Sequence, residues 1–230
     1  MADLPFVDVP AAAGGAQAAV IWLHGLGDSG HGFAPIVPEL RLPAGHGIRF
    51  LFPHAPQQPV TINNGMVMRS WYDIKSLDLN AVDGSRADEA GVRQSAAAVQ
   101  QLMDKVIASG VPSERIVLAG FSQGGVIALH LLPRLPYKIA GVMALSTYMS
   151  APAALKTEMN SVNKSTPVLV AHGLIDDVVP VDAGKAAFNS LKYAGFQVKW
   201  FEYRMAHSVC AQEVDDLSRF IQTQLLKKPD

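Results

Sequence analysis

Residues 115–132 constrain the fold of this chain more than any other stretch. A β-branched run, Ile116-Val117-Leu118, leads into Ala119-Gly120-Phe121-Ser122-Gln123-Gly124-Gly125, and an apolar run follows: Val126, Ile127, Ala128, Leu129, Leu131 and Leu132. Strand, sharp turn and helix in that order form a nucleophile elbow when the turn carries G-x-S-x-G, here Gly120, Ser122 and Gly124. So tight a turn puts the serine in a strained backbone conformation, and side chains two positions to either side would collide with neighbouring backbone. The hydroxyl is left at the tip, at the start of a helix whose positive end favours developing negative charge. The plainer alternative is a glycine-rich turn in which Ser122 only caps the helix.

The rest of the chain alternates strand and helix. Ala18–Leu23 reads as a buried strand that ends in a glycine-rich loop, His24-Gly25-Leu26-Gly27-Asp28. Residues 48–52 make a second strand, stopped by Pro53. Residues 54–73, rich in Pro, Asn and Gly, read as a long excursion with room for a short hairpin. From 88 to 109 the pattern is helical: Val92, Ala96, Val99, Met103 and Val106 share one face, and Gly110 ends it. Strands are expected at 116–119, 139–145, 167–171 and 197–203. A helix at 181–194 closes at Gly195, and Val214, Leu217, Ile221 and Leu225 mark a final amphipathic helix. This predicts one α/β domain over residues 1–230, with a mainly parallel, doubly wound sheet and helices on both faces. A charged fraction of 17% against 49% hydrophobic suits strands buried on both sides.

Several function classes are disfavoured at this level. Nineteen basic residues balance twenty acidic ones, so no basic stripe recommends nucleic acid or an anionic membrane surface. The single cysteine, Cys210, cannot form an intrachain disulfide, and the N-terminal residues lack the basic and apolar regions of a secretory signal. Apolar runs are too short to cross a bilayer. The expectation is a cytoplasmic protein without membrane insertion.

A serine hydroxyl is a poor nucleophile at neutral pH and needs a base, which in turn needs a partner to fix its tautomer. With this elbow the chain order is Ser, then acid, then His. His130, His172 and His207 follow Ser122. His130 lies two turns into the elbow helix and reads as a packing or surface residue, and His172 precedes the candidate acids. His207, in a loop between the last strand and last helix, satisfies both order and placement. The acid should follow the strand at 167–171, where Asp176 and Asp177 stand side by side. Pattern and order do not separate them.

Two backbone N–H groups must also meet the oxyanion. Gln123, after the nucleophile, supplies one, and Leu26, between two glycines, is the expected second. No histidine or cysteine spacing suggests a metal site, and no cofactor fingerprint is complete. Cys210, three residues after His207, reads as a small buried apolar residue.

With these residues in place, the chain resembles the acyl-protein thioesterase and carboxylesterase (phospholipase/carboxylesterase) family of α/β hydrolases. The motifs, in order, are Leu23-His24-Gly25-Leu26-Gly27-Asp28, Ser70-Trp71-Tyr72-Asp73, Gly120-Phe121-Ser122-Gln123-Gly124-Gly125, His172-Gly173-Leu174-Ile175-Asp176 with Val179-Pro180, and His207-Ser208. The resemblance implies an α/β-hydrolase fold with a shallow, largely lidless site, and it favours Asp176 over Asp177. It implies a triad of Ser122, Asp176 and His207, with Leu26 and Gln123 as oxyanion donors. It places Trp71 beside an acyl groove, as a wall residue or as a packed anchor of the excursion. The implied substrate is a small-molecule carboxylic ester, with acyl-protein thioesters or lysophospholipids as alternatives. A homodimer is a further expectation of the resemblance.

Overall fold

A computed structural model of the chain describes residues 3–11, 15–76 and 87–226. Its centre is a seven-stranded sheet. In chain order the elements are β1 (Phe6–Val9), β2 (Ala18–Leu23), the short helices α1 (Gly30–Phe33) and α2 (Ile36–Glu39), and β3 (Ile48–Pro53). Next come β4 (Gln57–Val60), β5 (Met66–Arg69), α3 (Glu89–Ala108), β6 (Ile116–Phe121) and α4 (Gln123–Leu131). The chain continues through β7 (Gly141–Leu145), α5 (Leu155–Glu158), β8 (Val168–Gly173), α6 (Val181–Tyr193), β9 (Val198–Tyr203) and α7 (Ala211–Leu225).

The spatial order is β1-β3-β2-β6-β7-β8-β9. Only β1 runs antiparallel, paired with β3; every other neighbour is parallel. Because strand side chains alternate faces, each buried strand divides its residues between two cores. Ala19, Ile21 and Leu23 of β2 join Ile116 and Leu118 of β6 and the apolar faces of α3, α4 and α6. Ala18, Val20 and Trp22 join Val117, Ala119, Met143 and the inner face of α7. Both faces are covered, which is why these strands read as unbroken apolar runs rather than as alternating ones.

Most predicted elements appear with ends shifted by a residue or two. Strand β8 begins at Val168 rather than Pro167, since proline has no N–H for a ladder; Pro167 contributes its carbonyl, which accepts from Val142 N–H. Helix α3 begins at Glu89, with the Asp88 carboxylate capping it by accepting from Gly91 N–H at 3.2 Å. Strand β7 starts at Gly141, two residues later than expected, and the Asn163 amide oxygen accepts from Ile139 N–H just before it. The excursion contains the hairpin β4–β5. Strand β1 was not expected, because a run of only four residues, Phe6 to Val9, set between Pro5 and Pro10 is too short to stand out as a strand. As an edge strand it needs only one buried side, and Arg49 clamps it through two hydrogen bonds to Asp8. Among the described residues, no helix is long and apolar enough to cross a membrane.

Candidate active site

The parallel strands β2, β6 and β8 deliver their C-terminal ends, and the loops that follow, to one edge of the sheet. Sites in open parallel sheets form beyond that edge. Strand β6 ends at Phe121 and α4 starts at Gln123, so Ser122 alone makes the turn, at φ 52° and ψ −119°. A non-glycine residue there is strained, and its neighbours hold it on both sides. Ser122 N–H donates to Leu145 O (2.8 Å), and Ser122 O accepts from Thr147 Oγ1 (2.7 Å) and Gly125 N–H (3.0 Å). The turn also presses against β2: a Cβ at Gly124 would lie 2.5 Å from Leu23 O, so only glycine fits. On the same side, a Cβ at Gly25 would stand 3.4 Å from Ser122 Cβ. The loop that carries Leu26 therefore runs directly alongside the elbow.

That loop is held by buried hydrogen bonds. His24 is fully buried; its Nε2 accepts from Ala55 N–H (3.0 Å), so Nδ1 carries the proton and donates to Gly25 O (2.7 Å). Burial depresses its pKa and keeps it neutral, consistent with one donor and one acceptor nitrogen. Gly27 N–H donates to Arg69 O (2.8 Å), tying the loop to β5. The Trp71 indole N–H donates to His24 O (2.9 Å), and its ring lies 5.3 Å from the His24 ring. Trp71 is 1% exposed. It offers no face to a ligand, so of its two expected placements the structure has the packed anchor and not the groove wall.

Sequence reasoning missed the side chain of Gln123. Its Oε1 accepts from Trp71 N–H (2.8 Å), while Nε2 donates to Ser70 Oγ (2.9 Å) and Tyr72 O (2.6 Å). Ser95 of α3 adds a hydroxyl bond to Trp71 O. One buried amide thus joins elbow, excursion and, through Trp71, the Leu26 loop. The only sequence signal was the pairing of Gly-Phe-Ser-Gln-Gly with Ser-Trp-Tyr-Asp. The Gln123 backbone N–H, first in α4, is one of the donors a helix leaves without an intrahelical acceptor.

Across the sheet edge, the neighbouring aspartates separate. Asp177 is exposed, whereas Asp176 is buried. Asp176 Oδ1 accepts from Val178 N–H (2.9 Å) and Val179 N–H (2.8 Å), and Oδ2 accepts from His207 Nδ1 (2.7 Å). His207 is half-buried, with exposed Ala206 and Ser208 on either side. With Nδ1 engaged, Nε2 is its free nitrogen. The ring lies against Phe121, the residue before the turn serine, at 4.7 Å between centroids. The structure thus brings His207 and Asp176 together next to the elbow; among the described residues no hydrogen bond joins Ser122 Oγ to His207.

A second histidine supports Asp176. His172, wholly buried at the end of β8, donates from Nε2 to Val179 O (2.7 Å) and sits 3.5 Å from Asp176 Oδ2. Both backbone groups of Val179 are therefore engaged, its N–H by the Asp176 carboxylate and its carbonyl by the His172 ring. Burial holds the His172 pKa below the ordinary imidazole range, and its Nδ1, unpartnered, is covered by Gly184 of α6. His130 is a packing residue, with burial and two nearby arginines pushing its pKa down to about 4. Cys210 is half-buried at the N-cap of α7, not fully buried as expected, because a cap position faces partly outward. Beneath it lies Glu213, fully buried, its pKa raised to about 8 by burial, against a lowering by the Cys210 backbone N–H and with a smaller upward push from Asp216. Among the described residues, no group of three or more His, Cys, Asp or Glu is arranged to hold a metal.

Residues 5–225 match the family model described as Phospholipase/Carboxylesterase. Acyl-protein thioesterase 1 of Neurospora crassa is 41% identical over 218 residues, covering 93% of this chain and 89% of that one. Acyl-protein thioesterase 1 of Yarrowia lipolytica is 37% identical over 232 residues, covering 98% and 99%. Among solved structures, SOBER1 of Arabidopsis thaliana superposes with a TM-score of 0.84 at 34% identity, covering 91% of this chain and 100% of that one.

Proposed function

We propose that this chain, which belongs to the phospholipase/carboxylesterase family of α/β hydrolases, is a serine carboxylesterase that works through an acyl-enzyme. The observation that carries the reading is the buried Asp176 carboxylate holding the His207 imidazole beside a strained serine turn. In this reading Ser122 Oγ attacks the ester carbonyl and His207 Nε2 takes its proton. Asp176 fixes the His207 tautomer and stabilises the imidazolium. The Leu26 and Gln123 backbone N–H groups receive the oxyanion, an interaction whose loss at one donor costs about 10²–10³ in turnover. His207 then returns the proton to the leaving alcohol, and water repeats the sequence on the acyl-enzyme. The nucleophile, base and oxyanion donors all come from the chain, and the reaction calls for no cofactor.

A second reading, acyl-protein thioesterase, is favoured by the names of the Neurospora and Yarrowia relatives. It uses the same groups on a thioester. Specificity constants for short esters, long esters and acyl-thioesters separate the two. The shared mechanism is tested by a fluorophosphonate, which should form one adduct, on Ser122. Ser122→Ala should lose both the adduct and about 10⁴–10⁶ of turnover while unfolding at an unchanged temperature. Full activity in that variant would end the proposal.

A further inference from the structure

Next to His207 lies a groove of about 350 Å³ whose lining includes Phe33, Ile36, Phe121, Val209 and Val214. All five are half-buried, and four of them pack against the core beneath α7, so the walls are fixed by the fold. A run of rings leads outward to the imidazole. Trp22 and Phe33 stand 5.7 Å apart, Phe33 and Phe121 5.4 Å, and Phe121 and His207 4.7 Å. Apart from His207, no side chain on the lining carries a charge.

Resting on the esterase reading above, we infer that this groove is the leaving-group subsite and takes an aromatic or branched apolar alcohol. The chemistry fixes the direction. Four groups surround the tetrahedral carbon: the oxyanion at Leu26 and Gln123, Ser122 Oγ, the acyl chain, and the leaving oxygen. The leaving oxygen must stand at His207 Nε2, because that atom delivers its proton. The groove is built from His207, from Val209 two residues beyond it, from Phe121 at the end of β6, and from α1, α2 and α7 around them. A substituent on that oxygen therefore has the groove, which His207 itself lines, open beside it. Aromatic and branched groups match walls of Phe, Ile and Val, where each methylene contributes about 1–3 kcal/mol to discrimination. A glycerophosphocholine leaving group finds no cation for its phosphate there and, beside the imidazole, only the Ser208 hydroxyl for its polar groups. The subsite thus argues for small apolar alcohol esters over lysophospholipids within the same mechanism.

The reverse step provides a test on the unaltered enzyme. An alcohol added to the acyl-enzyme attacks the acyl carbon through its oxygen, His207 accepts the hydroxyl proton, the bond to Ser122 Oγ breaks, and that proton passes to Oγ. A new ester and free enzyme result, with no other reactant. Benzyl alcohol, ethanol and glycerol are offered at equal concentration during hydrolysis of one methyl ester, and ester and acid products are counted. Benzyl ester should exceed ethyl and glyceryl esters by about tenfold or more. In Phe33→Ala and Val209→Thr that excess should shrink several-fold. Turnover with no benzyl preference, or a preference that survives both substitutions, overturns the subsite and leaves the esterase reading intact. Absence of any acyl product or fluorophosphonate adduct overturns both.

Discussion

The two halves of the site are built differently. On the serine side, His24, Ser70, Trp71, Tyr72 and Gln123 are all buried and share one hydrogen-bond network, so the elbow and the Leu26 loop are held from several directions. On the other side, Asp176 is as firmly anchored, but His207 is only half-buried, between two exposed neighbours on a short loop. Backbone donors aimed at a developing oxyanion act only if they are positioned beforehand in a dry setting. A base that collects a proton and hands it to a departing alcohol must stay open to solvent and substrate. Under the proposed mechanism, burial is concentrated where position matters, and exposure is left where exchange matters.

The largest effect on this contrast should come from Gln123→Ala. It keeps the backbone N–H but removes three side-chain bonds, leaving Trp71 N–H buried without an acceptor. Stability should fall by about 2–4 kcal/mol in denaturant titrations, and turnover by roughly 10². A loss of stability with turnover untouched would show that the network supports the fold and not the donors. On the other side, His172→Phe should lower kcat by about tenfold at nearly constant KM, because the turn that seats Asp176 loses one of its ties. In His172→Gln, an amide nitrogen takes the place of Nε2 and most of the loss should be recovered. Equal rates in wild type and both variants would leave Asp176 sufficient by itself.

The smallest expected effect on turnover comes from Glu213, behind the His207 loop. Its folded pKa, about 8, lies above the unfolded value, so between roughly pH 4.5 and 8 the folded state binds the extra proton. The stability that this proton contributes is present below pH 4.5 and is lost as the pH rises through 8, on the order of 5 kcal/mol in all. Glu213→Gln keeps a neutral side chain at every pH. Its melting temperature should therefore exceed that of wild type at pH 9, by an increment that vanishes near pH 5, with kcat nearly the same. A parallel pH dependence in both proteins would rule the buried carboxyl out as the cause.

Much of this was legible in the residues. The buried strands announce themselves because both faces of a parallel sheet are apolar, and the elbow because glycine and serine spacing there answers to a steric requirement. Chain order and placement singled out His207, which the structure sets against Asp176. Strand β1 was hidden because an edge strand needs little apolar surface. Asp176 could not be told from Asp177 by pattern, since the two differ only in which one the turn folds inward. Trp71 had two readings until packing placed its indole N–H on His24 O.

The sequence by itself determined the layered α/β architecture and the chemical types available beyond the strand ends, because periodicity and turn sterics are local properties written residue by residue. Only the tertiary structure decided which groups meet: Gln123 with Trp71 across 52 positions, His172 with the Asp176 turn, and the apolar walls of α1 and α7 beside His207. Those meetings depend on how distant segments pack, and packing is a property of the whole chain.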